Sequence, residues 1–118
     1  MAKASDNASV FLSFLNLVAA VRSLPSFPSL DATDERMLYI LGLAWARDKK
    51  ITVLEAMEIM PEISPSTAHR RLKLLRQKGL LALQLDDEDN RVKYVIPTKG
   101  SNDYFSRMGQ CLEKARAA

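Results

Sequence analysis

The chain has 118 residues, 47% of them hydrophobic and 26% charged, with a formal net charge of +3. That is the size and composition of one ordered domain. It excludes a disordered chain, and a single cysteine excludes an internal disulfide framework and suits a reducing cytosol. The charge is mild in total but uneven in placement: cations gather in Ser64–Gly79, SPSTAHRRLKLLRQKG, and acids in Asp86–Asp89.

Residues 1–8 are polar and are expected to fray. A helix is predicted over residues 9–23, with Val10, Phe11, Phe14, Leu17, Val18 and Val21 on one face and Ser13 and Asn16 opposite. Val10, Phe14, Leu17 and Val21 step by four, three and four, the spacing of a helix–helix seam. On periodicity alone this fits an intradomain helix as well as a dimer helix. The stretch resembles a signal-peptide core, but Asp6, Asn16 and Arg22 and its short length speak against that, so a soluble, unprocessed chain is expected.

Two prolines, Pro25 and Pro28, break the chain before a second helix predicted over about Ala32–Asp48. Asp31 or Thr33 can cap it, Asp34 and Glu35 suit its positive end, and Met37, Leu38, Ile40, Leu41, Leu43, Ala44 and Trp45 imply burial. Ile51 can start a very short strand. Thr52 and Glu55 then match a capping box, opening a helix of about Val53–Met60 that must end before Pro61.

A four-residue turn, Pro61–Ser64, leads into the cationic stretch. Ser64 is the predicted N-cap, Pro65 the first helical residue and Gly79 the left-handed residue past the end. At 100° per residue Ala68, Leu72 and Leu75 share one face. Ser66, Arg70, Lys73 and Gln77 fall opposite, with Thr67 and His69 on the shoulders. A short helix, a tight turn and a second helix with one cationic face make a helix-turn-helix.

After Gly79 the period becomes two, in Leu81–Leu85 and Val92–Ile96, joined through Asp86–Asn90 and stopped by Pro97: a β-hairpin. From Ser101 to Ala115 the helical period returns, with Tyr104, Phe105, Met108, Cys111, Leu112 and Ala115 on one face. The expected fold is mainly α with a small β-hairpin. One domain is expected over 1–118: a winged helix-turn-helix core at 31–100, between flanking dimerisation helices at 9–23 and 101–116.

Two segments carry a family likeness: SPSTAHRRLKLLRQKGLL, and the wing DNRVKYVIPTKG. With them the chain resembles the MarR-type winged-helix transcriptional regulators, whose wing commonly shows Asp-x-Arg, a strand, then Leu-Thr and often glycine. Asp89, Arg91, Thr98 and Gly100 stand at those places, with Pro97 where leucine is usual. The resemblance covers about Ala32–Gly100 well and the flanks loosely. It implies a prokaryotic, cytoplasmic, nucleoid-associated homodimer that binds an inverted-repeat operator and usually represses. It also favours the dimer reading of Val10, Phe11, Phe14, Leu17, Val18 and Val21 with Tyr104, Phe105, Met108, Cys111 and Leu112. The chain has room for one helix after the wing where the family usually has two, so the pocket in which relatives bind small phenolic effectors is expected to be reduced or absent. A different partner geometry, or a plasmid- or phage-type minimal regulator, fits that shortening equally.

For DNA, Ser66, Thr67, His69, Arg70, Lys73 and Gln77 are the candidates for base edges in the major groove. Arg71, Arg76 and Lys78 are expected on phosphates, with N–H groups near Ser64–Ser66. Arg91 resembles the family's minor-groove arginine, with Asp89 orienting it and Lys93 in support. Asp86, Asp87 and Glu88 would be repelled by phosphate, so the wing tip is expected to face away from the duplex or fold back on Arg91. One histidine and one cysteine cannot build a zinc site, and no cofactor is expected. Cys111 suits burial as a small hydrophobe better than redox sensing. No glycine-rich phosphate loop, nucleophile elbow or paired ligand motif points to an enzyme. The other reading is a winged-helix module that docks protein or binds DNA without sequence preference.

Overall fold

The structure, a computed structural model, describes residues 6–117. In chain order it contains α1 (Asp6–Arg22), α2 (Ala32–Ala46), β1 (Ile51–Thr52), α3 (Val53–Ala56), α4 (Pro65–Gln77), β2 (Ala82–Leu85), β3 (Lys93–Ile96) and α5 (Lys99–Ala117). The described chain divides into two compact units. Leu30–Asn102 is one, and residues 6–29 with 103–117 are the other.

Within Leu30–Asn102, Asp31 caps α2 by accepting the Asp34 N–H at 2.8 Å, which settles the choice between Asp31 and Thr33. The helix stops at Ala46, short of the expected Asp48, because Asp48 takes a left-handed turn (φ 55°) and the Lys49 N–H reaches back to the Ala44 carbonyl. Thr52 and Glu55 form both halves of the capping box, at 3.1 and 3.0 Å. Regular helix ends there at Ala56 and not near Met60. The next bonds, Glu58 to Glu55 and Ile59 to Ala56, tighten to the i−3 carbonyl as the chain approaches Pro61, which disfavours helix in the residue before it.

The predicted hairpin pairs Leu83 with Val95 and Gln84 with Tyr94, and it gains a third strand. Ile51 and Thr52 lie antiparallel to Val95 and Tyr94, so the sheet order is β1-β3-β2. The Trp45 indole N–H donates to the Val95 carbonyl at 3.0 Å, joining α2 to the central strand. Met37, Leu38 and Leu41 of α2, Ala68, Leu72 and Leu75 of α4, and Leu80, Leu81 and Val95 are all buried. Apolar burial at about 25 cal/mol per Å² is the main force holding α4 in place.

α5 starts two residues earlier than expected. Thr98 and Ser101 cap it reciprocally: the Ser101 N–H donates to Thr98 Oγ1 at 3.1 Å and the Thr98 N–H to Ser101 Oγ at 2.9 Å.

In the other unit, Phe27 stacks on Tyr104 with ring centroids 4.7 Å apart, and Val18, Cys111 and Ala115 are buried. Of the residues expected in a dimer interface, Val18, Tyr104 and Cys111 are therefore covered within the single chain. Ser13, expected to face outward, is half-buried, as are Val10, Phe14, Leu17, Val21, Phe105 and Met108. Phe11 and Leu112 are exposed. So are Leu12 and Leu15, which the helical wheel left out of the apolar face. Among the described residues, no helix is long and apolar enough to cross a membrane.

Candidate nucleic-acid interface

The local sequence builds α4 as a self-contained rod. Ser64 Oγ accepts the Thr67 N–H at 3.2 Å, donates to Thr67 Oγ1 at 2.9 Å and lies 3.2 Å from Ser66 Oγ. Ser64 and Thr67 are thus engaged with each other at the cap. Pro65 has no N–H and that of Thr67 is taken, which leaves the Ser66 N–H as the first-turn donor for an anion. At the other end Gly79 has φ 76°, the left-handed conformation that ends the helix. Ser66, His69, Arg70, Lys73, Arg76, Gln77 and Lys78 are all exposed, opposite the buried Ala68, Leu72 and Leu75. No acid lies on this helix.

Arg71, expected on phosphate, is engaged within the chain: its Nη1 donates to Asp34 Oδ1 at 3.1 Å and to Asp31 Oδ2. Asp34 is 2% exposed. The backbone N–H of Asp34 and then the Arg71 guanidinium hold the Asp31 carboxyl below its ordinary range. The two carboxylates, Asp31 first, raise the Arg71 value in turn. The signal was in the helical wheel, where Arg71 falls about 40° from Leu75, on the shoulder of the buried face.

The wing is ordered by its own acids. Asp86 Oδ2 accepts the N–H groups of Glu88 and Asp89, each at 3.0 Å, and Oδ1 accepts the Tyr94 hydroxyl at 2.7 Å. These bonds, the Tyr94 hydroxyl first, hold the Asp86 carboxyl low, while Asp86 pushes the Tyr94 hydroxyl up. Lys50 Nζ stands 5.1 Å above the Tyr94 ring. Asp86 folds onto its own turn and Tyr94 and does not fold back on Arg91. Asp89 grips Arg91 instead: Nε and Nη2 donate to its two oxygens at 3.0 and 3.2 Å, and the Arg91 N–H adds a third bond. Those bonds hold the Asp89 carboxyl low. The Arg91 side chain is 91% exposed, a cation at the hairpin end paired with one carboxylate.

Lys93 stands apart from that pair. It lines an open cleft of about 240 Å³ together with His69, Lys73 and Arg76 of α4, over an apolar floor that includes Leu72, Leu83 and Val95. The wing and α4 are fastened at the base. Thr98 Oγ1 donates to the Gly79 carbonyl at 2.6 Å, and a Cβ on Gly100 would sit 2.4 Å from that same oxygen. Thr98 and Gly100, two positions of the wing motif, form the contact between the end of α4 and the start of α5. Asp34 and the Asp86–Tyr94 pair were missed as site-shaping because Arg71 and Tyr94, the side chains they bind, lie on other elements of the chain.

No protein-family model matches the sequence, and no curated protein matches it. Solved structures do. The heme sensor protein PefR from Streptococcus agalactiae, in complex with heme, superposes with a TM-score of 0.59 at 23% identity, over 97% of this chain and 76% of that one. A transcriptional regulator from Thermotoga maritima gives 0.59 at 15% identity, over 89% and 66%. A mutant MarR from E. coli, complexed with operator DNA, gives 0.56 at 20% identity, over 91% and 69%. At such identities the likeness concerns architecture. The chain has the MarR-type winged helix-turn-helix fold.

Proposed function

We propose that this chain is a sequence-specific double-stranded DNA-binding regulator, acting without a chemical step as a cytoplasmic homodimer on an inverted-repeat operator, most simply as a repressor. The observation that carries this reading is the outward face of α4: Ser66, Arg70, Lys73 and Gln77 exposed together, with no acid on the helix and an apolar face fixed behind it. Arg70 and Lys73 suit guanine edges, at about 1–3 kcal/mol of discrimination for a good bidentate pair. Arg76, Lys78 and Lys93 suit phosphates, and Arg91, aimed by Asp89, suits a minor groove. The MarR structure bound to operator DNA supports the same use of the fold.

The dimer part rests on the exposed Phe11, Leu12, Leu15 and Leu112, which together are the kind of apolar surface a second copy covers. Two-fold symmetry would then set the half-sites about 10–10.5 bp apart or at a multiple of that. The test is fluorescence anisotropy with duplexes from the chain's own upstream region and random duplexes at several salt concentrations. Selective binding with a log–log salt slope of several units supports the reading. Equal affinity for every duplex removes the claim of specificity, and no salt dependence removes DNA altogether.

A further inference from the structure

We infer that Arg71 is a positioning residue: it sets the rotation and tilt at which α4 presents Arg70 and Lys73, and it does not meet DNA. The inference rests on the DNA-reading role proposed above and names a determinant of its specificity. Three observations carry it. The Arg71 guanidinium engages Asp31 and Asp34, both in the N-terminal turn of α2. The Asp34 side chain is only 3% exposed, so swinging Arg71 out to a phosphate would leave a buried carboxylate without its counter-charge. Asp31 is already committed as the α2 cap through Oδ1 and takes Arg71 through Oδ2, so one side chain fixes the start of α2 and its bond to α4.

Directionality is what the ion cluster adds. The packing of Ala68, Leu72 and Leu75 is strong but tolerates small rotations of a helix about its axis, whereas the Arg71 Nη1 is pinned between two carboxylates of the α2 start, one of them buried, and so ties α4 at one point off its axis. Arg70 is the next residue along and lies about 100° around the helix, so a rotation permitted at Arg71 is transmitted directly to the reading face. The Arg71 Nε is buried without a hydrogen-bond partner. The side chain is placed by the two acids even at the expense of one of its own donors.

The test compares wild type with Arg71→Lys, Arg71→Gln and Asp31→Asn on a selected operator and on random duplex, across a salt series. Circular dichroism and urea unfolding check that each variant is folded. Lysine keeps the charge, but its flexible stem and compact ammonium do not hold the position that Nη1 takes between the two acids, so the specific-to-random affinity ratio is expected to fall about tenfold in Arg71→Lys, the effect of one mismatched base pair. Arg71→Gln is expected to lose the same ratio with an unchanged salt slope. Asp31→Asn keeps a capping oxygen and the fold, and it too is expected to lower the ratio, although removing an acid near DNA would by charge alone raise affinity. A salt slope reduced by about one in Arg71→Gln, with the ratio intact and Arg71→Lys behaving as wild type, would assign Arg71 to a phosphate and overturn the inference. If wild type itself shows no preference for any duplex, the DNA-reading proposal falls first and the positioning role falls with it.

Discussion

Gly100→Ala places a methyl group where the structure has no room. The new Cβ would lie 2.4 Å from the Gly79 carbonyl oxygen, 3.3 Å from its carbon and 3.5 Å from Thr98 Oγ1. The obstacle is backbone, at the residue whose left-handed turn ends α4, so it cannot swing aside as a side chain would. Overpacking of this kind costs about 1–3 kcal/mol. Displacing the carbonyl also breaks the 2.6 Å bond from Thr98, worth about 1 kcal/mol. Alanine gains at most about 1 kcal/mol in helix propensity, so the balance is a destabilisation of about 2 kcal/mol, or roughly 8 °C in Tm for a chain of this size. Gly109 on the same helix is the control, because nothing lies within 4 Å of its Cβ position. Gly109→Ala is expected to stabilise by about 0.5–1 kcal/mol. Urea unfolding followed by far-ultraviolet circular dichroism reads both variants. If Gly100→Ala stabilises as Gly109→Ala does, the contact between the α4 end and the α5 start is not the constraint described above.

Asp86 and Asp89 both titrate below the ordinary carboxylate range when folded, so the wing's contribution is full above the unfolded value of about 4 and is lost as pH falls through the depressed folded values. Tyr94→Phe removes the hydroxyl bond to Asp86, and NMR titration is expected to show the Asp86 carboxyl moving back up; an unmoved value would contradict the bond. Arg70→Ala is expected to relax preference at one base pair by about 1–3 kcal/mol, whereas Arg76→Ala weakens all duplexes alike and lowers the salt slope by about one; binding to duplex panels distinguishes them. Leu15→Glu, on the exposed face of α1, is expected to convert a dimer to monomer in analytical ultracentrifugation while leaving the helical content unchanged.

The parts of the fold that were legible in the sequence are those whose chemistry is local. Ser64, Pro65 and Gly79 mark the limits of α4 because caps act within one turn, and Thr52 with Glu55 does the same for α3. The alternation around Val95 gave the hairpin. What escaped depends on residues distant in sequence. Ile51 was readable as a short strand, but its pairing with Val95 follows from where α2 and Trp45 place it. Asp34 looked like a helix-dipole acid, and only the return of α4 some 37 residues later turns it into the buried partner of Arg71. Periodicity shows which face of a helix is apolar and nothing about which ion on its shoulder meets another helix. In α1 the wheel caught the half-covered seam and missed Leu12 and Leu15, because a helix apolar nearly all round has no single preferred face.

On the proposed function, α4 reads DNA sequence and does so in symmetric pairs. Selection of bound sites from a random duplex library at physiological salt tests specificity, symmetry and spacing at once. The expected result is enrichment of an inverted repeat with half-site centres about 10–10.5 bp apart or a multiple of it. No enrichment over the starting library would contradict sequence reading, and an enriched site without two-fold symmetry would contradict the paired arrangement.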